Sequence, residues 1–173
     1  MKEIDNAERV QLRGLLDQQA CRQLLESYTC AVDWMNWSGL EDLFWPEAEF
    51  DFGMWSGSRD QYIPWVTALE SGYQRRLHLF GIPRLSVQAD NGSAEVGAIM
   101  YLRIGDNSPG TQDELMFGRY QVQFCKRSDV WRMSKLTFLL NGAHRFPATD
   151  TGGAAFFADG LSPQHPLFTQ TRV

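Results

Sequence analysis

Arg76-Leu77-His78-Leu79-Phe80-Gly81-Ile82-Pro83 marks the point where the chain changes character. Before it, apolar residues recur at helical spacing. From Arg75 onward they follow strand patterns, over about 76–88, 93–105, 112–126 and 129–141. Gly81 and Pro83 interrupt the first of these runs and predict a bulge. Asp90-Asn91-Gly92-Ser93 reads as a hairpin turn, Asn107-Ser108-Pro109-Gly110 as a longer loop and Ser128-Asp129 as a tight one.

Upstream, Leu12, Leu15, Leu16, Ala20, Leu24, Tyr28, Ala31, Val32 and Met35 recur every three or four residues. That spacing predicts one long helix from about Ala7 to Met35. Ser38-Gly39-Leu40-Glu41 is a capping-box pattern opening a short helix through Phe44, which Pro46 cannot continue. Ala48 to Phe52 reads as a short strand. Ser58-Arg59-Asp60-Gln61 is a second capping-box pattern, opening a helix to about Ser71, with Gly72 as its stop. Helices first and long strands afterwards make an α+β fold. Three N-terminal helices pack on one face of a strongly curved antiparallel sheet.

A chain of 173 residues is most simply one domain with a substantial core. Residues 1–145 hold the patterned part, and 146–173 form a tail that reads as a lid or an oligomer arm. Sixteen basic against 21 acidic residues give a net charge of −5, with no basic stripe, which argues against a nucleic-acid partner. No run approaches the ~18 apolar residues of a membrane span, and the charged N-terminus lacks an apolar signal core. Cys21, Cys30 and Cys125 are odd in number and lack CxxC spacing, so they read as reduced thiols of a cytoplasmic protein without a zinc site. Six Trp and 11 Phe suit an aromatic-walled cavity or a large interface, and equally a plain core.

Of three histidines, only His78 sits in a buried-strand pattern, and Asp33 ends the long helix. Brought together they make a carboxylate–imidazole pair: a base and the group that orients it. The bland alternatives are a core histidine bonded to backbone and a solvent-facing aspartate. Tyr28 and Asp33 lie about 140° apart on an ideal helix, so both reach one pocket only if the helix ends or bends near Asp33.

The order of elements, with Leu25-Glu26-Ser27-Tyr28, Val32-Asp33, Trp37 to Phe44, Phe50-Asp51-Phe52-Gly53, Gly57-Ser58-Arg59-Asp60, Gly118-Arg119-Tyr120 and Val130 to Lys135, resembles the SnoaL-like branch of the nuclear-transport-factor-2-like superfamily. The resemblance spans about residues 7 to 145 and is nearest to a lyase group: scytalone dehydratase, bile-acid 7α-dehydratase and hexachlorocyclohexane dehydrochlorinase. It implies a cone-shaped α+β barrel with a deep apolar pocket, no cofactor, and a homodimer or homotrimer. Asp33 and His78 fall at the positions of that group's Asp–His pair, and Tyr28 matches a pocket tyrosine.

Two departures stand out. The arginine that the group places near Leu136 is missing, and Met100-Tyr101-Leu102-Arg103 holds no second histidine. The resulting expectation is a cofactor-independent lyase acting on a small apolar cyclic molecule by dehydratase-type elimination. His78 is the base, Asp33 orients it and Tyr28 donates a hydrogen bond. Phe50, Phe52, Trp55, Trp65 and Phe138 are expected pocket walls, and Tyr101 or Arg103 could replace the absent donor if the odd face of their strand looks inward. An isomerase or cyclase with the same base, a non-catalytic binder of an apolar ligand and a structural subunit stay open.

Overall fold

The computed structural model describes residues 5–105 and 110–149. Three helices, α1 (Asn6–Asp33), α2 (Trp37–Asp42) and α3 (Arg59–Ser71), pack against a sheet of seven strands. The strands are β1 (Phe44–Asp51), β2 (Ser56–Ser58), β3 (Tyr73–Phe80), β4 (Arg84–Gln88), β5 (Asn91–Ile104), β6 (Gln112–Arg127) and β7 (Val130–Pro147). Their order is β2-β1-β7-β6-β5-β3, with β4 also paired to β5. The pairs are antiparallel except β1 with β7, which run parallel. The sheet does not close on itself, so the α+β cone is open at β2 and β3.

α1 starts with a reciprocal cap. Glu8 N–H donates to the Asp5 carboxylate at 2.8 Å, and Asp5 N–H donates to Glu8 at 3.1 Å. The helix stops two residues before the expected Met35. Met35 N–H donates to the Val32 carbonyl at 3.1 Å and Asn36 N–H to the Ala31 carbonyl at 2.8 Å. Met35 itself takes φ 51°, the left-handed residue of a Schellman stop. Only the second half of the helix is buried, through Cys21, Leu25, Tyr28, Ala31, Val32 and Asp33. Leu12, Leu15 and Leu16 extend the periodic stripe, yet they are exposed.

α2 is capped by Asn36, whose side-chain oxygen accepts from Gly39 N–H at 3.1 Å, not by the expected Ser38. It also ends before Phe44, which pairs with Met133 as the first residue of β1. The Ser58 start of α3 is as expected, with Ser58 N–H donating to Gln61 at 3.0 Å. Gly72 ends it with a right-handed φ of −76°, so no left-handed stop is involved.

Gly81 to Pro83 break the first long run completely. β3 and β4 are separate strands, and both pair with β5. The β4–β5 turn is Ala89-Asp90, upstream of the expected Asn91-Gly92, because Asn91 already pairs with Cys125 on β6. Ser128 and Asp129 form the expected tight turn, both with positive φ, 48° and 64°. β7 runs on to Pro147, paired with Gln112. The tail from residue 150, with His165, and most of the Asn107 loop lie outside the described residues.

The inward face decides what reaches the interior. On β3 it carries Arg76 and His78, while Leu77 and Leu79 face outward. On β5 it carries the even residues from Ala94 to Leu102. β7 changes parity: Trp131 and Met133 point inward, then Leu136 and Phe138 do. Pairing skips Ser134, a bulge that shifts the alternation by one residue. Gly118 on β6 allows the Phe138 ring to lie against it, since a Cβ there would stand 2.5 Å from that ring.

Candidate active site

The stop of α1 at Asp33 places its carboxylate beside β3. His78 Nδ1 lies 2.6 Å from Asp33 Oδ1. His78 backbone N–H donates to the same carboxylate, at 2.9 Å to Oδ2 and 3.1 Å to Oδ1. An ionised carboxylate can only accept, so Nδ1 is the donor in this contact, and in a neutral imidazole that leaves the lone pair on Nε2. Both side chains are buried, each residue 8% exposed. A carboxylate at a helix C-terminus opposes the macrodipole by about 0.3–1 kcal/mol. Hydrogen bonds to a charged group contribute about 1.5–3 kcal/mol each, so the His78 contacts outweigh that cost.

His78 forms part of the wall of a cavity of about 280 Å³. Tyr28 and Val32 come from α1, Val66, Leu69 and Glu70 from α3, and Met100 and Leu102 from β5. Of the expected walls, Phe52, Trp65 and Phe138 line it. Phe50 does not: it stacks on the far side of Tyr62, ring centroids 4.0 Å apart. Trp55 is likewise one ring removed, stacked on Trp65 at 4.6 Å. Met54 and Leu140 line the cavity while 74% and 55% exposed, so they mark its mouth.

Tyr101 and Arg103 are on the outer face of β5, because the even residues face inward. Arg103 is clamped to Asp113 by contacts of 2.7 and 2.9 Å, and Tyr101 donates to the same carboxylate at 3.0 Å. Neither can supply a donor to the cavity. Leu136, where the missing arginine was expected, is core. Among the described residues no Arg or Lys lines the cavity.

The donors are instead tyrosines that periodicity presents as packing. Tyr28 and Tyr62 hydroxyls are 2.9 Å apart, and Tyr73 and Tyr120 add two more phenols to the wall. Burial pushes Tyr28, Tyr62 and Tyr120 far above the ordinary tyrosine value and raises Tyr73 as well, so they stay neutral. Glu70, in the last turn of α3, also faces the cavity and is 4% exposed. Burial raises its pKa, against the opposing pull of His78 and Arg76. No sequence motif marks Glu70. Its one cue is position, in the last turn of a helix that leads into the histidine strand.

The helix-covered open cone is a fold of the α+β cone class, and here it sets a buried His–carboxylate contact beside an apolar cavity. The chain belongs to the SnoaL-like domain family, whose model matches residues 13–137. No curated protein matches it in sequence. Among solved structures it is similar to a type 2 hexachlorocyclohexane dehydrochlorinase, at 20% identity and TM-score 0.74 over 84% of this chain and 99% of that one. A type 3 hexachlorocyclohexane dehydrochlorinase of Novosphingobium barchaimii gives 20% and 0.73, over 80% and 96%. A scytalone dehydratase-like protein of Novosphingobium aromaticivorans gives 14% and 0.68, over 78% and 91%. At these identities the likeness is one of fold. No described helix is long and apolar enough to cross a membrane.

Proposed function

We propose that the protein is a lyase that removes a proton next to a carbonyl group of a small apolar cyclic molecule and then expels a leaving group. The observation that carries this reading is the 2.6 Å contact between Asp33 and His78 Nδ1, made by a histidine in the wall of an apolar cavity. His78 Nε2 takes the proton. Asp33 fixes the tautomer and stabilises the imidazolium that forms. Tyr28, backed by Tyr62, donates to the carbonyl oxygen as negative charge develops on it. The cavity, about 280 Å³, falls just below the ~300–1,000 Å³ typical of ligand pockets, which suits one or two fused rings. A homodimer or homotrimer and a cytoplasmic location belong to the same proposal.

Deuterium exchange at the α-carbon of 1-tetralone, an apolar bicyclic ketone without a leaving group, tests the base alone. The wild type is expected to exchange it, and His78→Ala to lose about 10²–10⁴ of the rate. Equal exchange by His78→Ala refutes the assignment. Binding of 1-tetralone with no exchange by the wild type turns the reading to a binder. Isomerisation by the same base is the second reading, favoured by the lack of a cation among the described lining residues.

A further inference from the structure

A second pocket, of about 250 Å³, opens between α1 and the corner that joins β3 to β4. Leu25, Phe80, Pro83 and Val96 make its apolar wall, and Arg22 and Glu26 on α1 make its charged border. Phe80 is firmly held: Tyr28 stacks on it at 6.1 Å between ring centroids, and Tyr120 lies 5.1 Å away. Beside the pocket stands Ile82, 95% exposed, the most exposed large apolar side chain among the described residues. Its corner is stiff. Gly81 N–H donates to the Gly97 carbonyl at 2.9 Å, and the ring of Pro83 fixes φ there.

We propose that this corner is a self-pairing surface: two copies of the chain meet about a two-fold axis, and Ile82 of each fills the pocket of the other. A single exposed isoleucine needs no explanation. A knob and an apolar hole on one surface do. Gly81 and Pro83, the neighbours of Ile82, also line the pocket, so knob and hole lie side by side. A two-fold contact uses such an arrangement, because residue i of one copy meets j of the other and j meets i. An anchor on a stiff corner also loses little freedom when it docks.

The charges select a second copy as the occupant. Arg22 and Glu26 sit one helical turn apart, both exposed, and among the described residues neither is in an ion pair. With the cation N-terminal to the anion, a pair within one helix has the weaker order. Where two α1 helices cross antiparallel at this turn, Arg22 of one copy faces Glu26 of the other, twice over. The border is thus complementary to itself, while a partner of uniform charge meets one attraction and one repulsion. The pairing stands apart from the role proposed for His78, so its loss and the loss of proton exchange are separate results.

Sedimentation velocity of the full chain, from low to high micromolar, tests the pairing. The wild type is expected to pass from monomer to dimer. Ile82→Asp should raise the dimer Kd by about 10²-fold or more, because it sets a charge in an apolar pocket at both contacts. Arg22→Glu should raise it by about 10-fold or more by placing like charges together. Arg22→Glu combined with Glu26→Arg should restore wild-type pairing, since exchanging both charges keeps the border self-complementary. All three positions are exposed, so each variant should fold as the wild type does by far-UV ellipticity. A wild type that stays monomeric, or forms trimers only, overturns the proposal. So does association that Ile82→Asp leaves unchanged, which would seat the copies on another face. A double variant that pairs no better than Arg22→Glu overturns it as well.

Discussion

Asp33→Asn separates a positioning role for Asp33 from simple packing, and the hydrogen bonds around it dictate how. An asparagine must set its oxygen and its NH2 group at the two carboxylate positions. If the NH2 takes the Oδ2 position it meets His78 backbone N–H at 2.9 Å, donor against donor. If it takes the Oδ1 position it meets Nδ1 at 2.6 Å, and imidazole can answer by moving its proton to Nε2. The backbone cannot change and the ring can, so the second arrangement wins. Nε2 then carries a proton toward the cavity and no longer accepts one. Losing the acid–base contribution of about 10²–10⁴ corresponds to about 3–5 kcal/mol of transition-state stabilisation. Exchanging charge-assisted for neutral bonds costs about 1–3 kcal/mol of folding stability, so the variant should fold. The assay pairs 1-tetralone exchange with 15N NMR of His78, which reads the tautomer directly. Wild-type exchange by Asp33→Asn refutes the reasoning. So does lost exchange with the proton still on Nδ1, since Asp33 would then act by charge and not through the tautomer.

Tyr28→Phe and Tyr62→Phe should each destabilise by about 1–3 kcal/mol, because each leaves the other buried hydroxyl without its 2.9 Å partner. The double variant should cost less than the sum, and strict additivity in chemical denaturation would refute the coupling. Gly118→Ala sets a Cβ 2.5 Å from the Phe138 ring and 2.7 Å from the Leu139 carbonyl oxygen. The strand has to shift, at about 1–3 kcal/mol, and KM for a bound ketone should rise; unchanged values of both would show that the wall yields freely. Tyr28, Tyr62 and Tyr120 have folded pKa values raised by burial above the ordinary 10.0. The stability linked to them is therefore fully present below pH 10.0 and lost as pH rises from there toward the folded values. Their tyrosinate absorbance should grow only as far-UV ellipticity falls, and full titration of all tyrosines with native ellipticity would contradict the burial.

The elements were legible where local chemistry alone decides them. Ser128-Asp129 formed its turn and Ser58 began α3 as their residue types require. Signals failed where a neighbouring strand overrode them. Asn91-Gly92 is a good turn pair, yet Asn91 is held in β5 by Cys125, and the turn moved upstream to Ala89. Phe44 continues a helical pattern, yet Met133 draws it into β1. For the site, Asp33 and His78 were visible because each is a polar residue in an apolar context. Tyr101 and Arg103 stayed ambiguous because alternation fixes two faces without saying which is inside. The answer lay in the run of small and apolar even residues, Ala94, Val96 and Ala98, on the buried side.

Glu70 shows why the remainder was hidden. In sequence it is an ordinary glutamate in the last turn of a helix, a place where a negative charge is mildly unfavourable and a solvated side chain is the default. Its meaning depends on Arg76, six residues later and across the α3–β3 junction, whose guanidinium is fixed by two main-chain carbonyls. Those carbonyls lie at the end of α3 and the start of β3, and Arg76 points inward because it shares the parity of His78 on β3. The same junction therefore sets His78 in one wall of the cavity and buries Glu70 in another. Shifting β3 by one residue would turn both Arg76 and His78 to the outer face. The register of this edge strand, fixed by pairing His78 with Met100, therefore decides which side chains the cavity wall receives.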